Sequence, residues 1–168
     1  VMVFPELCLT GYTCSDLFLQ TSLLESVKRE LKHIVEASKK LHMITFIGLP
    51  WEHEGKLYNA AAAISGGRIL GLVPKKNLPN YSEFYELRHF CPGQETVRWI
   101  KIDGERVPFG MNLLFSCEDI PGLVLAAEIC EDVWVPCPPS ISHAMAGATV
   151  IANCSASDET TGKDAYRR

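Results

Sequence analysis

Hydrophobic and polar positions along the chain fall into two regimes. Short, nearly continuous apolar runs occupy positions 1–4, 43–49, 57–65, 68–73 and 123–129, and runs of this length and composition read as buried strands. One segment behaves differently. Between Ser22 and Leu41, Leu23, Leu24, Val27, Leu31, Ile34, Val35 and Leu41 recur at 3.6 spacing, while Lys28, Arg29, Lys32, Lys39 and Lys40 take the opposite face or the last turn. That pattern predicts an amphipathic helix, opened by a capping box of Ser22 and Glu25. His33 falls on its surface or boundary.

Punctuation places the remaining elements. Gly66-Gly67, between two apolar runs, predicts a hairpin, because a primed turn needs positive φ at both central residues. The run at 43–49 is expected to stop at Pro50. Positions 7–20 read as a loop with one helical turn, and the aromatic-rich stretch at 81–90 as one or two turns lining something. Short strands are expected at 98–102, 107–109 and 112–115, a proline-introduced helix at 136–147, and a final strand at 149–154. Strand, helix, strand and hairpin in that order predict a mixed α/β sheet. No dinucleotide-binding or P-loop glycine pattern is present, so nothing in the sequence cradles phosphate.

Composition narrows the function classes. The 168 residues suit one domain, and 47% hydrophobic with 21% charged residues is ordinary for a globular protein. A net charge of −4, with no run of basic residues longer than two, argues against a nucleic-acid or anionic-membrane partner. No apolar run approaches the roughly 20 residues of a membrane helix. Seven cysteines without a C-x-x-C pair disfavour a zinc site and suit reduced, core-filling thiols in the cytoplasm. The chain starts inside a strand, without a signal-peptide pattern, and stops at what looks like the opening of a helix. It is therefore expected to be an excerpt of a longer protein, poorly stable as an isolated monomer.

Polar chemistry gathers where the apolar runs stop. Glu6 follows the first run, Lys75 follows the second strand of the hairpin, and Cys130 follows the run 123–129. Sheets hold functional groups at the carboxyl ends of their strands, since the strand is rigid and the next turn is free to be shaped. Each residue has a plainer reading when taken alone: a strand-edge surface glutamate, a solvated lysine pair with Lys76, a packing cysteine. Glu128, Glu131 and Asp132 flank the thiol, and such neighbours disfavour the thiolate unless a base and a cation are brought to it. Together the three residues fit a thiol nucleophile attacking a carboxamide.

The set also resembles the nitrilase superfamily of C–N hydrolases, through Phe4-Pro5-Glu6 with Gly11-Tyr12, Lys75-x-Asn77-Leu78-Pro79, and Glu128-Ile129-Cys130-Glu131-Asp132. Within it, FPELCLTGYTCSDLF, KKNLPNYSEFYELRHF and EICEDVWVPCPPS are similar to the glutamine amidotransferase domains at the front of NAD+ synthetases. The resemblance covers the whole chain. It implies a four-layer αββα sandwich, here incomplete at both ends: a single C–N hydrolase (glutaminase) domain lacking its first strand and helix and its C-terminal part. It implies a Glu6–Lys75–Cys130 triad, substrate contacts from Tyr81, Glu131 and Ser157, and a basic residue at Lys163. It further implies glutamine as substrate, a homo-oligomer, and no metal or cofactor in this domain. ATP and deamido-NAD+ belong to an absent synthetase domain that receives the ammonia.

Two other readings stay open at this point. One is a stand-alone amidase on another amide, which a downstream synthetase domain would argue against. The other is a non-catalytic scaffold, which reactivity of Cys130 toward a glutamine-mimicking electrophile would argue against. The triad reading carries a geometric expectation. The strands ending at Phe4, Val73 and Ile129 should be neighbours in one sheet region, with the Glu6 carboxylate and Lys75 ammonium converging on the Cys130 sulfur. Cys130 should sit in a sparsely populated backbone conformation, and Glu131 should face the pocket rather than pair with Lys75.

Overall fold

The computed structural model describes residues 1–166. Its larger sheet has six strands in the order β1-β2-β3-β4-β6-β5. β1 (Met2–Val3) runs parallel to β2 (Thr45–His53), which pairs antiparallel with β3 (Lys56–Ser65), and β3 with β4 (Arg68–Pro74). β5 (Arg98–Ile102) and β6 (Glu105–Phe109) form a hairpin that joins β4 through β6. The smaller sheet has β8 (Val124–Ile129) between a two-residue β7 (Phe115–Ser116) and the parallel β9 (Val150–Cys154).

The alternation of side chains along the strands fixes how the layers stack. From β2 and β3, Ile47, Leu49, Tyr58, Ala60, Ala62 and Ile64 face one way, and pack with Val27 and Leu31 of helix α1 (Thr21–Ala37). Phe46, Ala61 and Ala63 face the other way and meet Leu125, Ala127 and Ile129 of the small sheet. A strand that is apolar on both faces must be covered on both, and the alanines at 60–63 let both covers approach closely. Helix α3 (Pro139–Met145) packs against the far side of β8. The result is helix, sheet, sheet, helix: the four-layer αββα arrangement implied by the sequence resemblance. Two further helices are short, α2 (Glu86–His89) and α4 (Lys163–Tyr166).

Several expectations are corrected. The long helix starts a residue earlier than predicted. The extended Gln20 is its N-cap, and its carbonyl takes the amides of Leu23 and Leu24 at 3.1 and 3.3 Å. Ser22 therefore lies inside the first turn, and the capping box with Glu25 does not form. The α-helix ends at Ala37 and a 3₁₀ turn over Ser38–Lys40 follows, leaving Leu41 outside. β2 runs through Pro50 to His53. Phe46 and Gly48 turn their carbonyls away from β3, toward Phe4 and Leu9. Pro50 shares their parity, so its missing N–H falls on the side where β1 has already ended. Beyond it lies a second hairpin, turned by Glu54 and Gly55 at φ 52° and 72°. The Gly66-Gly67 hairpin is as predicted, with both residues at positive φ. Position 112 precedes strand structure, which begins only at Phe115, and the predicted helix at 136–147 shortens to Pro139–Met145.

Candidate active site

Three chain reversals place the three singled-out side chains. After β1, the chain doubles back at Leu7, a left-handed residue (φ 52°) that is completely buried. Gly48 makes room for it: a Cβ there would lie 2.4 Å from both the Leu7 nitrogen and the Pro5 oxygen, and 2.7 Å from the Glu6 Cα. Glu6 is thus pressed backbone-to-backbone onto β2. Lys75 follows Pro74, the last residue of β4, and has the strand parity of Val73, which faces the small sheet. Its carbonyl accepts the Gly93 amide at 2.7 Å, and a Cβ on Gly93 would come within 2.8 Å of the Pro74 oxygen. Cys130 is the first residue after β8 and opens a 3₁₀ turn (Cys130–Val133) at φ 43°. This is the sparsely populated conformation expected of it, and it is uncommon for a residue with a Cβ.

The expectation that all three strands share one sheet region is corrected. β1 and β4 belong to the large sheet, separated by β2 and β3, while β8 belongs to the small one. The residues meet across the seam between the two sheets. The lysine ammonium donates to Glu6 Oε1 and to Glu86 Oε1, both at 2.6 Å. Lys75, Glu6 and Glu86 are 0%, 1% and 4% exposed. Asn59, buried on β3, donates to Glu6 Oε1 at 2.7 Å and to Glu86 Oε2 at 3.2 Å. Tyr12 donates to Glu86 Oε1 at 2.7 Å, and the Ala156 amide to Glu6 Oε2 at 3.3 Å.

Electrostatics follow from that packing. Burial alone would lower the Lys75 pKa, but the Glu6 and Glu86 carboxylates outweigh it and raise it above the ordinary lysine value. Glu86 is raised, by burial first and then by Glu6, against the pull of Lys75. Tyr12 is pushed up by burial and by Glu86. The Cys130 thiol is pushed up to about 11 by burial and then by Glu6, opposed by Lys75, the Ser155 side chain and the Ala156 amide. The carboxylate that acts on the sulfur is therefore Glu6, not the acids flanking it in sequence. Those turn elsewhere: Glu128 accepts the Ser140 amide at 3.1 Å on the α3 side, and Glu131 faces Tyr81. Buried Asp132 accepts the Ile129 amide at 3.1 Å, and from Asn77 both the backbone and side-chain amides, at 2.8 and 2.9 Å. One carboxylate thus ties the cysteine turn to the lysine loop.

Of the residues expected to touch substrate, Tyr81 and Glu131 are brought together. The Tyr81 hydroxyl lies 3.0 and 3.1 Å from the two Glu131 oxygens, and Glu131 makes no pair with Lys75. Ser157 is exposed on the segment after β9. Lys163 donates to the Asp158 carbonyl at 2.6 Å and to its carboxylate. Both Asp158 and Lys163 act on Glu83, so this segment lies near residues 81–86. His33 is a surface residue paired with Glu30 at 3.1 Å. Among the described residues no group of three His, Cys, Asp or Glu could hold a metal ion, and all seven cysteines are free.

Sequence reasoning missed Glu86, Asn59, Tyr12 and Asp132 as members of the cluster. Asn59 had left a signal, a lone amide inside the apolar run 57–65. The stretch 81–90 does line a cavity, of about 220 Å³, together with Leu7, Tyr12 and Phe18. Glu86 borders that cavity, and neither Cys130 nor Lys75 does.

Comparison with known proteins places the chain in a family. Residues 1–166 match the carbon–nitrogen hydrolase family model. The chain is 48% identical over 166 residues to the glutamine-dependent NAD(+) synthetase of Mycobacterium bovis, covering 99% of this chain and 24% of that protein. It is 34% identical to that of Aquifex aeolicus, covering 99% of this chain and 26% of the other. The crystal structure of a glutamine-dependent NAD(+) synthetase from Cytophaga hutchinsonii superposes with a TM-score of 0.83 at 30% identity, over 99% of this chain and 27% of that one. The chain thus spans about a quarter of the length of these relatives. With that match along its whole described length, the chain belongs to the carbon–nitrogen hydrolase family.

Proposed function

We propose that this domain hydrolyses the side-chain amide of glutamine and supplies the ammonia to a synthetase domain of the same protein. That domain would use ATP to convert deamido-NAD+ to NAD+; the glutaminase half needs no metal or cofactor of its own. The observation that carries the reading is the buried Lys75–Glu6 pair at 2.6 Å, set across the sheet seam from a cysteine on a left-handed strand-end turn. The relatives' names supply the substrate class.

In the proposed mechanism Glu6 accepts the thiol proton as the Cys130 sulfur attacks the carboxamide carbon. A half-buried thiol pushed up to about 11 is almost wholly protonated at neutral pH, so the nucleophile must be generated by this transfer rather than stored as thiolate. Lys75 and a backbone N–H after Cys130 hold the oxyanion, each such donor being worth roughly 3–4 kcal/mol. Glu6 then gives its proton to the leaving ammonia, leaving a thioester, and next activates water to release glutamate. Glu86 and Asn59 hold Lys75 and Glu6 in place. Tyr81, Glu131, Ser157 and Lys163 take the amino-acid end, with the Glu131 carboxylate accepting the substrate ammonium now replaced by the Tyr81 hydroxyl. We place the enzyme in the cytoplasm as a homo-oligomer. The exposed apolar residues Val133, Trp134, Ile141 and Met145 on and beside α3 support an assembly surface.

The test is Cys130→Ala in the full-length protein. It should abolish glutamate release and glutamine-driven NAD+ synthesis, while synthesis from added ammonium salt persists. Retained glutaminase would remove Cys130 from the mechanism, and loss of both activities would make its role structural.

A further inference from the structure

A second line of polar residues, outside the triad, runs from β8 across β9 toward Cys130. Glu128 on β8 is 2% exposed, yet it is a carboxylate with no role in the triad. One oxygen accepts the Ser140 amide of α3 at 3.1 Å, and the other accepts Asn153 Nδ2 at 3.4 Å. Asn153 is its neighbour across the parallel pair β8–β9. The Asn153 oxygen in turn accepts the Ser155 hydroxyl at 2.6 Å. The same register pairs Ile129 with Cys154, which brings Ser155 level with Cys130. Ser155 and the adjacent Ala156 amide lie close enough to the cysteine sulfur to favour its thiolate, and that amide also reaches Glu6 Oε2 at 3.3 Å.

The chemistry of the line has one consistent direction. A carboxylate only accepts, so Glu128 must face the NH₂ of Asn153, and the Asn153 oxygen must then face Ser155. At rest the Ser155 hydroxyl thereby donates to Asn153 and not to the sulfur. Once the thiol proton has left for Glu6, the sulfur accepts, and a rotation of one hydroxyl turns the Ser155 donor onto it. No covalent bond changes; the serine proton stays on its oxygen and only its hydrogen-bond partner is exchanged.

We propose that Ser155 is a further catalytic residue, donating a hydrogen bond to the Cys130 thiolate as it forms, and that Glu128 and Asn153 are positioning residues that keep its hydroxyl ready. This rests on the reading of Cys130 as nucleophile.

The experiment uses the full-length protein and four variants: Ser155→Ala, Ser155→Thr, Glu128→Gln and, as reference, Cys130→Ala. Ser155 is exposed, so its truncation leaves the fold intact. Loss of a hydrogen bond to a charged group predicts a kcat for glutamate release lowered about tenfold to a hundredfold in Ser155→Ala, with KM for glutamine within twofold. Iodoacetamide labelling of the Cys130 peptide at pH 8, followed by mass spectrometry, should slow about tenfold. Ser155→Thr keeps the hydroxyl and should restore both. Glu128→Gln, which lets the Asn153 amide turn over, should fall between. Unchanged kcat and labelling in Ser155→Ala would overturn the inference, and so would a raised KM at unchanged kcat, which would make Ser155 a substrate contact. Glutaminase surviving in Cys130→Ala would instead strike the underlying mechanism.

Discussion

Gly48→Ala tests how the fold aims Glu6. The added methyl would sit 2.4 Å from the Leu7 nitrogen and the Pro5 oxygen, and 2.7 Å from the Glu6 Cα. Ordinary contact begins near 3.4 Å, so the segment carrying Glu6 must retreat by about 1 Å. All three obstacles are backbone atoms, so no side-chain rotation relieves them. The Glu6 carboxylate is held at 2.6 Å by Lys75 and 2.7 Å by Asn59. A 1 Å displacement takes both contacts beyond hydrogen-bonding range. Misplacement on that scale costs on the order of 10²-fold in rate, and overpacking a close-packed site costs about 1–3 kcal/mol of stability. The assay is kcat for glutamate release by the full-length variant, with ammonium-driven NAD+ synthesis as the measure of intact protein. Gly71→Ala is the matched control. Its methyl would meet Leu113 and Phe115 side chains at 2.7 and 3.2 Å, far from Glu6, so it should lower stability while leaving kcat per folded molecule unchanged. A Gly48→Ala enzyme with kcat within threefold of wild type would refute the claim that this contact positions the base.

Lys75→Ala leaves Glu6 and Glu86 facing each other, buried and uncompensated, and should destabilise the domain by about 3–5 kcal/mol in denaturant titration. Asp132→Asn turns an acceptor of four amides into a group whose own NH₂ opposes at least one of them. It should cost about 1–3 kcal/mol and lower kcat, since it loosens the cysteine turn from the lysine loop. Lys75 has its pKa raised on folding, so its contribution to stability is complete below its unfolded value of about 10.4 and is lost as pH rises through the folded one. A plot of unfolding free energy against pH should therefore turn down only above about pH 10. Alkylation of Cys130 by iodoacetamide without glutamine should climb steadily with pH toward about 11; half-maximal labelling below pH 8 would show a thiolate already present at rest.

The positions of Glu6, Lys75 and Cys130 were legible because each stands where an apolar run breaks, and a break in a buried strand is a local feature. The Gly66-Gly67 hairpin was legible for a similar reason: two positive-φ residues in succession leave few alternatives. Which sheet each strand joins was not, because a buried run such as 123–127 is apolar on both faces whichever sheet it enters. Pro50 misled for want of a neighbour. A proline ends a strand only if its nitrogen would have donated, and here that side of β2 is past the end of β1. Glu86 and Asn59 were hidden because burial of a polar group is decided by what covers it. Nothing within residues 81–90 shows that Glu86 faces inward while Glu83 and Tyr85 do not. The flanking acids were misjudged as well, since nearness in sequence to Cys130 does not survive the alternation along β8 and the 3₁₀ turn after it.

The cluster's charge explains why a thiol held so far from its thiolate form suits the proposed reaction. At rest it carries one ammonium, two carboxylates and a neutral thiol, a net charge of −1, with the three ionised groups buried and the thiol half-buried. Moving the thiol proton to Glu6 leaves one ammonium, one carboxylate, one thiolate and one carboxylic acid, again −1. The negative charge shifts within a fixed set of donors instead of being created, so the large cost of burying a new ion does not arise. Glu86 makes this possible. With Lys75 bonded to Glu6 alone, protonating Glu6 would strip the ammonium of its counter-charge; with Glu86 present at 2.6 Å it keeps one. The low polarity that pushes Cys130 upward also strengthens each donor aimed at the oxyanion. Glu86→Gln should therefore damage catalysis more than substrate binding: kcat falls with KM for glutamine little changed, and the loss deepens as Glu6 is required to hold its proton longer. A Glu86→Gln enzyme with normal kcat would show that Lys75 needs no second carboxylate, and that charge conservation is not how this site keeps its nucleophile in reserve.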